Sequence, residues 1–141
     1  QVVSNLINQE NNSFTKLIGS SYNEKEMVTY HKKSKDGASL AFYYFHKIFI
    51  GIYLNNYEDI EDSYQSFKPY LLNVNPSWFT TATNFYYLIY LLQIYSSQNK
   101  KRKKEILKKV IKKLHKYKHW ANIAPMNHYH EYLLFNKIFR E

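Results

Sequence analysis

Trp78 to Tyr95 reads WFTTATNFYYLIYLLQIY. It holds no Pro or Gly, and apolar side chains fall on almost every side of a helical wheel. A helix that is apolar all round must be covered all round. The stretch therefore predicts a central buried helix, ending near Ser96, with neighbours that are apolar on one face and able to cover it. A membrane span is not expected. Thr80, Thr81, Thr83, Asn84 and Gln93 interrupt the stretch, and its unbroken apolar run, Phe85 to Leu92, is well short of the roughly 20 residues a bilayer needs.

Upstream, Leu40 to Leu54 repeats the pattern, with Leu40, Phe42, Tyr43, Tyr44, Phe45, Ile48, Phe49, Ile52 and Tyr53 leaving little polar surface. Asp36 or Ser39 caps that helix, and Asn55 and Asn56 form a tight connection after it. A helix from Tyr57 to Leu72 follows, with Glu58, Asp59, Glu61 and Asp62 near the positive end of its dipole. Its expected buried stripe is Ile60, Tyr64, Phe67 and Leu71. Pro69 should kink it or fray its last turn. Asn73 to Asn75 reads as a turn, and Pro76 suits the first turn of the central helix. Nearer the N-terminus come a short apolar run (Val2 to Ile7), a turn (Asn8 to Ser13) and a brief segment from Phe14 to Gly19. A helix capped by Asn23 then runs to about Lys33, before a break over Ser34 to Gly37. Downstream come a loop over Ser97 to Lys101, a basic helix from about Arg102 to Lys118, a connection over Ala121 to Ala124, and a final helix from Pro125.

The order is a buried helix, a short turn, an amphipathic helix, then the same again. With 141 residues and only 3 Gly and 3 Pro, the chain reads as one all-α domain of antiparallel helical hairpins. The hairpins cover about 36–72, 76–118 and an incomplete 126–141. Offsets of about 40 to 50 residues are looser than the roughly 34-residue tetratricopeptide period, but they predict a tetratricopeptide-like right-handed solenoid. The start at Gln1 and the unpaired last helix suggest a fragment of a larger protein. That last helix should expose apolar surface and favour self-association.

The net charge of +9 has one source. Lys100 to Lys118 (KKRKKEILKKVIKKLHKYK) holds 11 of the 20 basic residues and one acid, leaving the rest of the chain close to neutral. On a wheel with Ile106 at zero, Ile106, Leu107, Val110, Ile111, Leu114 and Tyr117 fall within about 0–140°. Lys108, Lys109, Lys112, Lys113 and Lys116 fall within about 200–340° and form a ridge. The ridge reads first as a solvated face and second as a surface for an acidic partner, an anionic membrane or nucleic acid. Arg would be expected at a site gripping bases or phosphates bidentately, and only Arg102 and Arg140 are present. A nucleic-acid or membrane partner is accordingly the alternative reading.

No catalytic, cofactor or metal site is expected. The absence of Cys excludes disulfides and thiolate ligands. His115 and His119 stand at i,i+4, but no carboxylate lies between them, and Lys116 and Lys118 would repel a cation. His128 and His130 point apart on a helix. The carboxylates after Tyr57 are explained by the helix dipole. Gly19, Gly37 and Gly51 lie too far apart for a phosphate loop.

One stretch is too particular to be composition: His119-Trp120-Ala121-Asn122-Ile123-Ala124-Pro125-Met126-Asn127-His128-Tyr129-His130. It resembles the W-A-x-x-A-P-M-N-x-x-H signature of very large bacterial multi-sensor signalling kinases, common in cyanobacteria. Those proteins join a serine/threonine kinase domain, a P-loop ATPase, a tetratricopeptide-like region, a GAF domain and a histidine kinase. Similar blocks precede it: Leu17-Ile18-Gly19 with Tyr22-Asn23-Glu24; Tyr44-Phe45-His46-Lys47 with Tyr53-Leu54 and Tyr57; Tyr70-Leu71; Phe85-Tyr86; and Glu105 to Val110. The chain departs from the pattern at Ile60, Tyr64 and Phe67, where small residues are common, and at Tyr87, where an acid is common. The resemblance implies a non-catalytic, cytoplasmic scaffold that passes signals by protein contacts. Its motif corner is Trp120, Ala121, Ala124, Pro125, Met126, Asn127 and His130, with Trp120 and Met126 packed and Asn127 and His130 bonding free backbone groups.

Overall fold

The structure, a computed structural model, describes residues 1–7, 15–74 and 78–140. Among them eight α-helices follow in order: α1 Val2–Ile7, α2 Glu24–Lys33, α3 Gly37–Tyr53, α4 Ile60–Phe67, α5 Leu71–Val74, α6 Trp78–Ile94, α7 Lys100–Ile123 and α8 Pro125–Arg140. The described residues contain no strand, only an isolated bridge between Ile18 and Asn23. The fold is all-α. The expected turn over Asn8 to Ser13 and the helix start at Pro76 lie outside the described residues.

Caps set the helix starts. Asn23 accepts from the Lys25 amide, Asp36 from Ser39, and Asn99 from Arg102, each filling a backbone donor that an N-terminus leaves open. The ends of α2 and α3 share one device. Asp36 N–H returns to His31 O at 2.9 Å, and Asn56 N–H to Gly51 O at 2.9 Å, around residues with positive φ, Lys35 (55°) and Asn55 (53°). These are Schellman closures with Lys and Asn where Gly is usual.

Two boundaries differ from the sequence reading. The helix expected over Tyr57 to Leu72 starts at Ile60 and tightens into a 3₁₀ turn over Lys68–Tyr70, because Pro69 has no N–H for the α-helical ladder. It resumes as α5, so Asn73 and Val74 are helical rather than in a turn. The basic helix is longer than expected at both ends. Asn99 caps it from Lys100, and Ala121 continues the buried row Ile106, Val110 and Tyr117, so the connection shrinks to Ala124.

The chain divides into two compact units, Gln1–Tyr87 and Leu88–Glu141. In the first, α3 and α4 form an antiparallel pair: Gly51 lies against Ile60 near the turn, Ala41 packs with Phe67 and Val74, and Gly37 faces Asn73 at the far end. The first ten residues of α6 lie along α3 through aromatic rings. Phe42 meets Phe79 at 4.3 Å, Phe45 meets Phe79 at 5.2 Å, and Phe49 meets Tyr86 at 5.2 Å, all near edge-to-face. The residue numbers rise together, so α3 and α6 run parallel. On another side of α6, Tyr87 stacks on Tyr64 with centroids 3.5 Å apart. The Tyr87 hydroxyl donates to Glu61, and the Tyr64 hydroxyl to Asn84.

In the second unit, α7 and α8 form an antiparallel hairpin. Trp120 meets His128 beside the turn at 5.2 Å, and Tyr117 meets Phe135 further along at 5.1 Å. Leu88, Tyr90, Leu91, Ile106, Val110, Tyr117, Ala121 and Phe135 are buried in it. No helix among the described residues is long and apolar enough to cross a membrane.

Candidate functional site

The lysine ridge forms in part. Lys108, Lys109, Lys112 and Lys116 are exposed, but Lys113 is half-buried. The buried row centres near 30° on the wheel, so Lys113, at about 340°, borders it. Burial lowers the Lys113 pKa, and the neighbouring charges of Lys116 and Lys112 lower it further. Ile111, at about 140°, falls on the opposite flank and is exposed rather than packed. Lys116 turns towards the hairpin end, its Nζ 4.5 Å from the Trp120 ring centroid.

The stretch expected to form the motif corner falls at the α7–α8 junction and differs in detail. Ala121 is buried in α7, Ala124 is the one-residue link, and Pro125 opens α8. Ala124 N–H bonds Trp120 O, while Ala124 O accepts from the amides of Asn127 and His128. The backbone thus closes on itself, and the Asn127 and His130 side chains, expected to do this, lie exposed. Met126 is 93% exposed rather than packed. The polar contact at the corner comes from His128, whose Nδ1 lies 2.8 Å from the Glu131 carboxylate. Met126, Tyr129, Leu133 and Leu134 are exposed along one side of α8, opposite the side that Phe135 buries.

His115 and His119 are exposed on α7, and among the described residues no group of three or more His, Asp or Glu side chains is placed to hold a metal ion. Of the carboxylates after Tyr57, Glu61 receives the Tyr87 hydroxyl and Asp59 lies 3.9 Å from Lys47 Nζ.

Lys47 belongs to a polar cluster that sequence reasoning missed. It is 7% exposed, donates to Thr15 O at 2.6 Å, and pairs with Glu24 at 3.4 Å. Glu24 also accepts from the Leu17 amide and the Tyr43 hydroxyl. Burial, reinforced by the Glu24 carboxylate, pushes the Tyr43 pKa up. Nothing in apolar periodicity marks Lys47, whose partner stands 23 residues away. Beside this cluster, α1, α2, α3 and the segment before α2 border an open cleft of about 450 Å³. Its walls include Val3, Tyr22, His31, Phe42, Tyr43 and His46. His46 Nδ1 lies 2.8 Å from Phe42 O. Burial lowers the His46 pKa, against the opposing effect of that bond.

Compared with protein-family models, with curated proteins and with solved structures, the chain has no match in any of the three.

Proposed function

We propose that the chain is a non-catalytic helical scaffold of a multidomain bacterial signalling kinase, its hairpins stacked as a tetratricopeptide-like right-handed solenoid. It acts in the cytoplasm by carrying contacts between neighbouring domains. The observation that carries this reading is the uncovered apolar side of α8: Met126, Tyr129, Leu133 and Leu134. The α3–α6 packing supports this reading, since in the first unit a further apolar helix runs parallel to α3 and covers it. The occupant of the α8 side is accordingly a further helix pair of the same kind, from a neighbouring segment or a second copy.

The resemblance gains support from Glu24 and Lys47. Three of the blocks that carry it, Leu17-Ile18-Gly19, Tyr22-Asn23-Glu24 and Tyr44-Phe45-His46-Lys47, converge on that pair. Leu17 N–H bonds the Glu24 carboxylate, Leu17 O accepts from Glu24 N–H, and Gly19 N–H bonds Tyr22 O. Two of the departures also meet each other, since Tyr64 and Tyr87 are the stacked pair. Light scattering on a concentration series tests the proposal. The scaffold reading expects self-association that Leu133→Glu abolishes without changing helical content. A clean monomer at high concentration counts against it.

A further inference from the structure

We propose that the α7–α8 hairpin docks on an anionic membrane surface. The lysine face of α7 lies against the lipid headgroups, and the hairpin tip, Ile123 and Met126, dips beneath them. From Ile106 to His130 the sequence holds six lysines, four histidines and no carboxylate. Glu105, just before that stretch, lies 3.3 Å from Arg102. Lys108, Lys109, Lys112 and Lys116 are exposed together on one arc of α7. Clusters of about four to eight lysines on an amphipathic helix are what an anionic lipid surface attracts.

The tip adds an apolar end to the same face. Ile123 falls at about 260° on the wheel, inside the lysine arc. It is 68% exposed, and Met126, across the one-residue link at Ala124, is 93% exposed. With Ala124 and Pro125 they make four apolar residues in a row, flanked by the exposed Asn122 and Asn127. The turn also bonds its own backbone. Ala124 N–H bonds Trp120 O, Ala124 O accepts two amides, and Pro125 has no N–H to leave open. Such a tip loses less on leaving water than a turn with unbonded backbone groups. Charge along the length with exposed apolar residues beside it suits a helix that lies in the interface rather than across it. A fluid headgroup layer also suits lysine better than nucleic acid does. Lysines near a bilayer stay hydrated, as they are in the free chain, and act as point charges where Arg would be needed to grip phosphates in fixed geometry. Ile123 and Met126 gain an apolar medium there, which a phosphate backbone does not offer.

The inference goes beyond the scaffold reading and does not depend on it. Flotation of the whole chain with lipid vesicles tests it. The probes are vesicles of phosphatidylcholine, with or without an equal share of phosphatidylserine. The chain should bind the mixed vesicles and not phosphatidylcholine alone, and binding should weaken as salt rises. Lys108→Gln, Lys112→Gln and Lys116→Gln together should weaken binding about a hundredfold, about fivefold for each charge near the surface. Ile123→Ser with Met126→Ser should weaken it about tenfold at unchanged net charge. All five positions are exposed, so circular dichroism should show the same helical content in each variant. A chain that stays monomeric in light scattering yet binds the mixed vesicles would count against the scaffold reading and support this one. No binding to the mixed vesicles, with or without binding to random duplex DNA, would overturn the proposal, as would vesicle binding indifferent to either set of substitutions.

Discussion

Lys35 and Asn55 show how single residues close this fold. Each takes a left-handed conformation so that the chain can fold back over a helix end. Asn tolerates that region, whereas Lys has no local hydrogen bond to offset the crowding of its Cβ. Lys35→Gly should therefore stabilise the chain by about 1 kcal/mol in urea unfolding. His46 makes a prediction about acid. Its folded pKa lies below the ordinary value of 6.5, so between the two values the unfolded chain binds more protons than the folded one. Stability should fall as pH drops below 6.5, and His46→Phe should flatten that limb of the stability–pH curve. At this scale the sequence was partly readable. The Asn23 and Asp36 caps follow from residue type next to an apolar run. The Glu24–Lys47 pair does not, because burying a lysine in α3 depends on a partner that only the tertiary fold brings near.

The helices themselves were legible wherever apolar spacing was long and regular. α3 and the central part of α6 follow from their side chains alone, as does the stripe of Ile60 and Phe67. What spacing could not give was phase at the flanks and the exact ends. Ile111 and Lys113 sit at opposite borders of the α7 row, where hydropathy predicts the reverse of the burial observed. The turn after α3 is tighter than residue type shows. A Cβ on Gly51 would lie 2.8 Å from Asn56 O and 2.9 Å from Ile60 Cγ1, and the first of these is backbone that cannot swing away. Gly51→Ala should cost about 1–3 kcal/mol despite Ala's better helix propensity, read as a shift in the urea midpoint. Tyr87 stacks on Tyr64 and gives its hydroxyl to Glu61. An acid at position 87 would place a second carboxylate where Glu61 now receives a hydroxyl.

Across the whole molecule the charge is lopsided, with α7 carrying most of the basic excess. Lys108, Lys109, Lys112 and Lys116, exposed together on a helix whose other side is packed, are enough for a solvated face. The near absence of Arg gives that face little means of reading bases or phosphates in a fixed geometry. Beside the exposed side of α8, the scaffold reading draws on two apolar helices, α3 and α6, lying side by side in the same direction, since that is the relation that repeats when hairpins stack. Fold class could be read from the sequence because both helices announce themselves. Their relative direction could not, because it is fixed by which rings meet: Phe42 with Phe79, and Phe49 with Tyr86. Nuclear Overhauser contacts between ring protons of selectively labelled Phe and Tyr test this directly. A parallel pair predicts cross-peaks for Phe42–Phe79 and Phe49–Tyr86 and none for Phe49–Phe79. Cross-peaks joining Phe42 to Tyr86 and Phe49 to Phe79 would mean antiparallel helices and would contradict the account.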